Sequence, residues 1–201
     1  GDQLMGLVAG FMQDEGALAG SGLVATVMSN LGLERHLKAR GLDLVRTPVG
    51  DRYVVERMRR DGYNVGGEQS GHIVLSDYTT TGDGLIAALQ VLAVLMQTGQ
   101  PASRALSVFE PVPQKLISVR VADRTVLDDP RAQDAIAETE RALAEQGRLV
   151  IRASGTEPKI RVMAEADDPD LVTRLVAELG ERIKRIADDR VRTDKQPNAA
   201  E

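Results

Sequence analysis

Short strand-like runs alternate with longer helix-like ones through the first hundred residues, and this alternation limits the possible folds more than any other feature of the chain. Leu4, Leu7, Val8 and Phe11 recur at helical spacing, and residues 23–28 (Leu-Val-Ala-Thr-Val-Met) follow as a short buried strand. Residues 33–40 read as a helix ended by Gly41, 42–46 as the next strand, and 52–60 as the next helix, closed by Asp61-Gly62. Tyr63-Asn64-Val65 continues the sheet, and Ile73-Val74-Leu75 comes after a glycine-rich turn. Spacing of this kind predicts parallel strands joined by crossover helices. Residues 84–96 are apolar almost all round, which predicts a central, buried helix.

The pattern then stops and restarts. Pro101, Pro111 and Pro113 cluster around a short helical piece, the composition of a linker or hinge able to close a domain over a ligand. After it, Ile117, Val119 and Val121 alternate as a half-buried strand, and 131–146 form a helix capped by Gly147. Residues 149–151 and 160–164 are strands around a tight loop, Asp168-Pro169 opens a last helix, and Val172, Val176, Leu179, Ile183 and Ile186 mark its apolar face. The expected class is therefore α/β: a mixed, mainly parallel α/β/α domain over 1–104, a linker over 105–113, and a small α+β domain of order β-α-β-β-α over 114–191. That second domain is expected to carry one antiparallel pair under two helices. Residues 192–201 are polar, contain Pro197 and read as a disordered tail.

Composition removes several function classes. The 201 residues include no cysteine, which excludes disulfides, thiolate metal sites and thiol catalysis. A formal net charge of −5 has the wrong sign for generic nucleic-acid or anionic-membrane binding, and two Phe, three Tyr and no Trp are too few for a base-stacking platform. The apolar run 85–96 is short of the roughly 20 residues needed to span a bilayer. The chain opens Gly1-Asp2-Gln3 with neither Met nor a targeting composition, so it reads as cytoplasmic, with a start that looks cut.

Two loops carry chemistry. In Gly66-Gly67-Glu68-Gln69-Ser70-Gly71-His72, glycines surround a carboxylate, a hydroxyl and an imidazole, groups that accept from and donate to vicinal sugar hydroxyls. Taken alone, the same loop also reads as a polar turn with Glu68 solvated. In the run Arg148-Leu149-Val150-Ile151-Arg152-Ala153-Ser154-Gly155-Thr156-Glu157-Pro158-Lys159-Ile160-Arg161, Arg152 and Ser154 project to one side of a strand end. Gly155 lets the backbone turn so that amides converge on an anion, with the Ser154 and Thr156 hydroxyls beside them. Arg161 returns on the next strand to complete a guanidinium clamp suited to phosphate. The competing reading is a hairpin whose arginines pair with Glu157 and Glu165. A third stretch, Gly50-Asp51-Arg52, lies where a strand gives way to a helix: either an anion-facing helix start or plain capping with Asp51 as N-cap. His36 is placed on an exposed helix face without a role, and Asp123, Asp128 and Asp129 read as caps, with no metal site.

Taken together and in this order, the loops resemble the α-D-phosphohexomutase superfamily. The anchors are 67–72, the following Asp77-Tyr78-Thr79-Thr80-Thr81-Gly82-Asp83-Gly84, and 152–161. The chain is similar to the third and fourth of that family's four domains, and Gln69 points to its phosphoglucosamine mutase branch. The resemblance implies sugar-hydroxyl recognition by Glu68 and Ser70, a proton-transfer role for His72, and a cleft-facing position for Gly50, Asp51 and Arg52. It implies that Arg152, Ser154, Gly155, Thr156 and Arg161 bind the non-reacting phosphate. The activity implied for the complete enzyme interconverts glucosamine 6-phosphate and glucosamine 1-phosphate, for cell-wall precursor synthesis, through a phosphoserine and a glucosamine or glucose 1,6-bisphosphate. It uses Mg²⁺. The family's phosphoserine lies in its first domain and its Asp-Gly-Asp-x-Asp-Arg metal loop in the second, and neither motif occurs here; Ser21 lacks the Ser-His-Asn-Pro context. The expectation is a substrate-reading fragment, inactive and metal-free by itself, whose partners are an amino-sugar phosphate and the missing domains. The alternatives are a phosphomannomutase or phosphoglucomutase fragment, or a non-catalytic sugar-phosphate-binding module. In every case the sugar loop and the phosphate loop are expected to serve one ligand.

Overall fold

Leu23 and Ala25 leave the first strand on one side and Val24 on the other, and each side has its own core. The computed structural model describes residues 1–194, in two compact units divided after Pro111. In the first unit the elements are α1 (Asp2–Asp14), β1 (Gly22–Thr26), α2 (Leu31–Ala39), β2 (Asp43–Thr47), α3 (Asp51–Asp61), β3 (Val65–Gly67), β4 (Ile73–Leu75), α4 (Gly84–Thr98) and the short α5 (Ala102–Ala105). The strands lie in the order β2-β1-β3-β4, with β1 parallel to β2 and β3 and only β4 antiparallel. Met5 and Val8 of α1, Leu33 and Leu37 of α2, and Ala87 and Val91 of α4 pack with Leu23 and Ala25. Val54 and Met58 of α3 close the other face over Val24 and Val74. A mainly parallel sheet between helical layers follows, as the alternation predicts.

Helix starts are set by side chains that accept from otherwise orphaned amides: Asn30 from Gly32 N–H at 2.8 Å, and Asp83 from Leu85 and Ile86 N–H at 2.8 and 3.0 Å. Asp51 is a correction. The N-cap of α3 is Gly50, and Asp51 is already helical, its carboxylate accepting from Arg52 N–H at 2.7 Å. Three further expectations change. The third strand is 65–67, not 63–65, so Gly66 and Gly67 belong to the sheet. A side chain on Gly66 would meet Met58 Sδ at 2.6 Å, which is why α3 can lie so close. Next, α4 is not buried all round: Leu85, Leu89, Leu92 and Met96 are 72%, 55%, 55% and 83% exposed. The sheet covers only one side of a helix, and an all-apolar sequence does not record which side that is. Last, the expected linker is bonded into this unit at its start. The Gln3 side chain accepts from Val108 N–H and donates to the Phe109 carbonyl, both at 2.8 Å.

The second unit contains β5 (Gln114–Arg120), a 3₁₀ turn (Arg124–Asp128), α6 (Pro130–Leu143), β6 (Gly147–Ala153), β7 (Lys159–Ala166) and α7 (Pro169–Asp194). The β-α-β-β-α order holds, but the sheet has three antiparallel strands in the order β5-β7-β6 rather than a pair. One face packs Val119, Ile160, Val162 and Ala164 against Ile136 of α6 and Val176, Leu179 and Ile183 of α7. Asp168 accepts from Asp170 N–H at 2.9 Å and Pro169 is the first helical residue. Helix α6 ends at Leu143, earlier than its composition predicts, where Ala144 takes a φ of 48°. Helix α7 continues through residues 192–194, so the expected tail does not begin at 192, and the rest of it lies outside the described residues. No helix among the described residues is long and apolar enough to cross a membrane.

Candidate functional site

The glycine-rich loop joins β3 to β4 as a closed hairpin end. Glu68 N–H donates to the His72 carbonyl at 3.0 Å, and Gly71 N–H to the Glu68 carbonyl at 2.9 Å. A side chain at Gly67 would stand 2.5 Å from the His72 carbonyl, so the hairpin closes only over a bare backbone. This closure gathers Glu68, Ser70 and His72. The Ser70 hydroxyl lies 3.2 Å from His72 Nδ1, and a Glu68 carboxylate oxygen lies 3.7 Å from the same nitrogen. The other Glu68 oxygen accepts from Gly50 N–H at 3.1 Å, tying the glycine-rich loop to the β2–α3 turn, where Gly50 has a φ of 131°. Glu68 is therefore not the solvated carboxylate of a plain turn: its side chain is 15% exposed, against 65% for His72.

Asp51 and Arg52 are not brought into that cluster. The Arg52 guanidinium lies over the Tyr53 ring at 4.6 Å and donates to its hydroxyl at 3.1 Å. Both residues line a separate groove of about 610 Å³ with Glu56, Arg59 and Thr80. His36 is half-buried rather than exposed. It sits 6.1 Å from the Phe109 ring, and burial, aided by Arg40, pushes its pKa down. It lines a cavity of about 390 Å³ between α1, α2 and α4 that contains no candidate residue.

In the second unit, strand register arranges the charges. On the sheet face away from α6 and α7, Gln114, Glu165 and Arg148 form one rung, and Leu116, Met163 and Val150 the next. Ser118, Arg161 and Arg152 form a third, with Arg120 opposite Lys159 beyond it. Arg148 takes Glu165 at 2.5 Å and Arg161 comes within ion-pair distance of Glu157, so both carboxylates meet an arginine as the hairpin reading predicts. Arg161 lies 3.8 Å from Glu157, whose closer partner is Lys159 at 2.6 Å. The Lys159 hydrogen bond and charge, and then the charges of Arg161 and Arg120, hold the Glu157 carboxyl below its ordinary pKa. Arg152 differs from both. It faces Arg161 across the strand pair, and the Nε atoms of both are buried without a hydrogen-bond partner. Burial, then the like charge of Arg161, lowers the Arg152 pKa. Two guanidiniums side by side with unused buried donors are costly, and an oxyanion would satisfy both.

The loop between them is short and bonded at both ends. Ser154 N–H donates to the Lys159 carbonyl at 2.8 Å, and Val121 N–H to the Pro158 carbonyl at 3.1 Å. Ser154 is buried, while Gly155 and Thr156 are exposed. Gly155 is not in the left-handed region and a Cβ there would meet nothing within 4 Å, so neither strain nor crowding requires glycine; what its absence of side chain leaves is open space. Lys159 and Arg120 extend the basic face, and sequence reasoning passed over them. Alternation by two along β5 and β7 marks them, but only once the register is known. Asp123 and Asp129 cap as expected, accepting from Thr125 and Arg131 N–H at 2.9 and 3.0 Å. Among the described residues no three His, Asp or Glu side chains are grouped to hold a metal ion.

Residues 1–112 match the model of the phosphoglucomutase/phosphomannomutase α/β/α domain III, and 116–189 match the C-terminal domain of the same family. The chain belongs to the phosphoglucomutase/phosphomannomutase family. It is 60% identical over 187 residues to a phosphoglucosamine mutase of Xanthobacter autotrophicus, covering 93% of this chain and 42% of that relative. It is 63% identical over 179 residues to one of Rhizobium meliloti, covering 89% and 40%. The chain thus spans about two fifths of the length of these relatives. Its fold is that of the Aspergillus fumigatus N-acetylphosphoglucosamine mutase, with a TM-score of 0.80 at 23% identity over 93% of this chain and 43% of that one. A structure of the same fungal enzyme with GlcNAc-6P and magnesium superimposes with a TM-score of 0.77 at 24% identity over 92% and 46%. Among phosphohexomutases, then, this chain corresponds to domains III and IV.

Proposed function

We propose that this chain is the substrate-reading part of a phosphoglucosamine mutase, an isomerase of the cytoplasm. Its first unit recognises sugar hydroxyls and its second holds the phosphate that is not reacting. The observation that carries the proposal is the Arg152–Arg161 pair, two adjacent guanidiniums whose buried Nε donors have no partner. A structural hairpin gains nothing from that arrangement, whereas a phosphate monoester accepts from both forks. Ser154, Gly155 and Thr156 add hydroxyl and amide donors to the same anion. Glu68, fixed through Gly50, accepts from ring hydroxyls with Ser70 as its neighbour, and His72, next to both, handles a proton at the sugar. Of the Gly50-Asp51-Arg52 turn, Gly50 serves this site by holding Glu68, while Asp51 and Arg52 face the separate groove.

In the complete enzyme a phosphoserine gives its phosphoryl group to glucosamine 6-phosphate, and the resulting 1,6-bisphosphate returns its other phosphoryl group to serine, leaving glucosamine 1-phosphate. Magnesium supplies charge neutralisation for those transfers. The contribution proposed for this chain is binding and orientation. The same phosphate grip must serve whether the held phosphate is on C1 or C6, so it should read phosphate shape and charge and ignore the ring.

Calorimetric titration of glucosamine 6-phosphate into the 201-residue chain tests the proposal. Saturable heat that inorganic phosphate competes away is the expected result; no heat at millimolar ligand removes the phosphate assignment. In the full-length protein, turnover on glucosamine, glucose and mannose phosphates places the substrate, with the glucosamine ester expected to lead. Glu68→Ala in that protein is expected to lower kcat/KM about tenfold to a hundredfold, the scale of one or two lost charged hydrogen bonds. Its inhibition by inorganic phosphate should be unchanged. Intact discrimination among the three sugars in that variant would end the hydroxyl-reading role.

A further inference from the structure

One arginine outside both loops has its charge spent on backbone. Arg124, in the 3₁₀ turn after β5, donates from Nη1 to the Ser154 carbonyl at 2.5 Å and, more distantly, to the Gly155 carbonyl at 3.4 Å. These two carbonyls begin the loop proposed above to hold phosphate. A trans peptide points its C=O and the next residue's N–H in opposite directions, and the described chain has no cis peptides. Fixing the Ser154 and Gly155 carbonyls on Arg124 therefore aims the Gly155 and Thr156 N–H groups away from it. Among the described residues neither N–H makes a hydrogen bond, and the space beside Gly155 is open.

We infer that Arg124 is a positioning residue for phosphate binding: it holds two loop carbonyls on one side so that the Gly155 and Thr156 amides present a paired donor on the other. The inference rests on the phosphate reading of the 152–161 loop. Arg124 touches no anion in this scheme. Its support is built to stay still: Val126, two residues on, is fully buried in the core of the unit, and Asp123 caps the turn by accepting from Thr125 N–H. From α7, Arg190 donates to the Thr125 carbonyl at 2.8 Å and to the Thr125 hydroxyl at 2.9 Å. A rigid helix thus holds the turn, the turn holds Arg124, and Arg124 holds the loop. Without this latch the loop peptides are free to rotate, and each phosphate must order them at its own entropic expense.

The test is a titration of inorganic phosphate into the ¹⁵N-labelled 201-residue chain, followed by amide and arginine Nε–H resonances. In the unaltered chain the Gly155 and Thr156 amides and the Arg152 and Arg161 Nε–H groups are expected to shift together along one binding curve. Arg124→Ala is expected to weaken that curve about tenfold, the scale of one charged hydrogen bond. The Gly155 and Thr156 shifts should shrink while the Arg152 and Arg161 shifts persist at saturation, with the melting temperature of the phosphate-free chain close to that of the parent. Arg124→Lys keeps the charge but not the planar fork, and is expected to recover less than half of the lost binding free energy. Full recovery by Arg124→Lys would reduce Arg124 to a distant charge and overturn the inference. So would an Arg124→Ala curve within twofold of the parent with all four signals unchanged. Silence of Arg152 and Arg161 in the unaltered chain would instead remove the phosphate reading on which this rests.

Discussion

Arg152→Met is expected to abolish phosphate binding and at the same time to make the chain more stable. Among the described residues Arg152 has no anionic partner, faces Arg161 and keeps a buried, unbonded Nε. Methionine fills similar length without charge or donor, so the repulsion and the unmet donor both go. Because Arg152 is only partly buried, water screens part of that cost, and a gain on the order of 1 kcal/mol is expected. For a unit of this size that corresponds to a melting temperature about 4–8 °C higher. Guanidiniums stay charged throughout the neutral range, so the gain should be flat across roughly pH 5–9. Thermal denaturation of parent and variant without ligand reads the stability side. With saturating phosphate the order should reverse, since only the parent is stabilised by binding. In the full-length protein the same substitution is expected to lower kcat/KM for glucosamine 6-phosphate at least about a hundredfold, the scale of a lost bidentate charged contact. A variant that melts lower than the parent without ligand and still binds phosphate would show that Arg152 is a structural residue.

The largest loss of stability should come from the opposite end of the same sheet face. Glu165 is fully buried, and its carboxylate accepts from Arg148 at 2.5 Å and from the Gln114 amide at 2.6 Å. Removing one partner of such a pair leaves a charge in a place water does not reach, at a cost of about 3–5 kcal/mol. Arg148→Met is therefore expected to lower the urea midpoint of the second unit sharply, and in a unit this small to leave part of it unfolded at 37 °C. Replacing both residues, Arg148→Met with Glu165→Leu, is expected to restore most of the stability, because the desolvation of both charges then disappears along with their attraction. A double-mutant cycle in urea measures this coupling. A loss below about 1 kcal/mol in Arg148→Met would mean that the pair behaves as an exposed ion pair despite its burial. Three arginines of one strand pair thus have three different roles: Arg148 neutralises a buried carboxylate, Arg161 stands near Glu157, and Arg152 stands uncompensated.

Much of this was legible in the sequence because it is written in local periodicity. The Leu23, Val24, Ala25 run needs two covered faces, the helices between strands need crossover connections, and Asp168-Pro169 needs a helix to begin. The two loops stood out because their residue types are expensive anywhere else: glycines inside a sheet, and arginines beside small hydroxyl residues at a strand end. Departures came where the deciding neighbour is remote. The apolar helix α4 looked central because nothing in 84–96 is charged, yet the sheet offers it only one side. His36 looked exposed because Phe109, which shields it, arrives from seventy-odd residues further along. Asp51 looked like a cap because its chemistry suits one, but the chain turned one residue earlier, at Gly50.

By itself the sequence determined the class of fold and the order of elements, and it singled out two loops as candidates for chemistry, since each depends on spacing along the chain and on the conformational preferences of single residues. Only the tertiary structure decided how the charges share out. Strand register set Arg152 against Arg161 and gave Glu165 to Arg148, the hairpin closure brought Glu68 to Gly50, and the turn after β5 delivered Arg124 to the Ser154 and Gly155 carbonyls. Register and loop closure are settled by packing among distant segments, and a shift of one residue along β6 or β7 would have turned Arg148, Arg152, Arg161 or Glu165 to the other face.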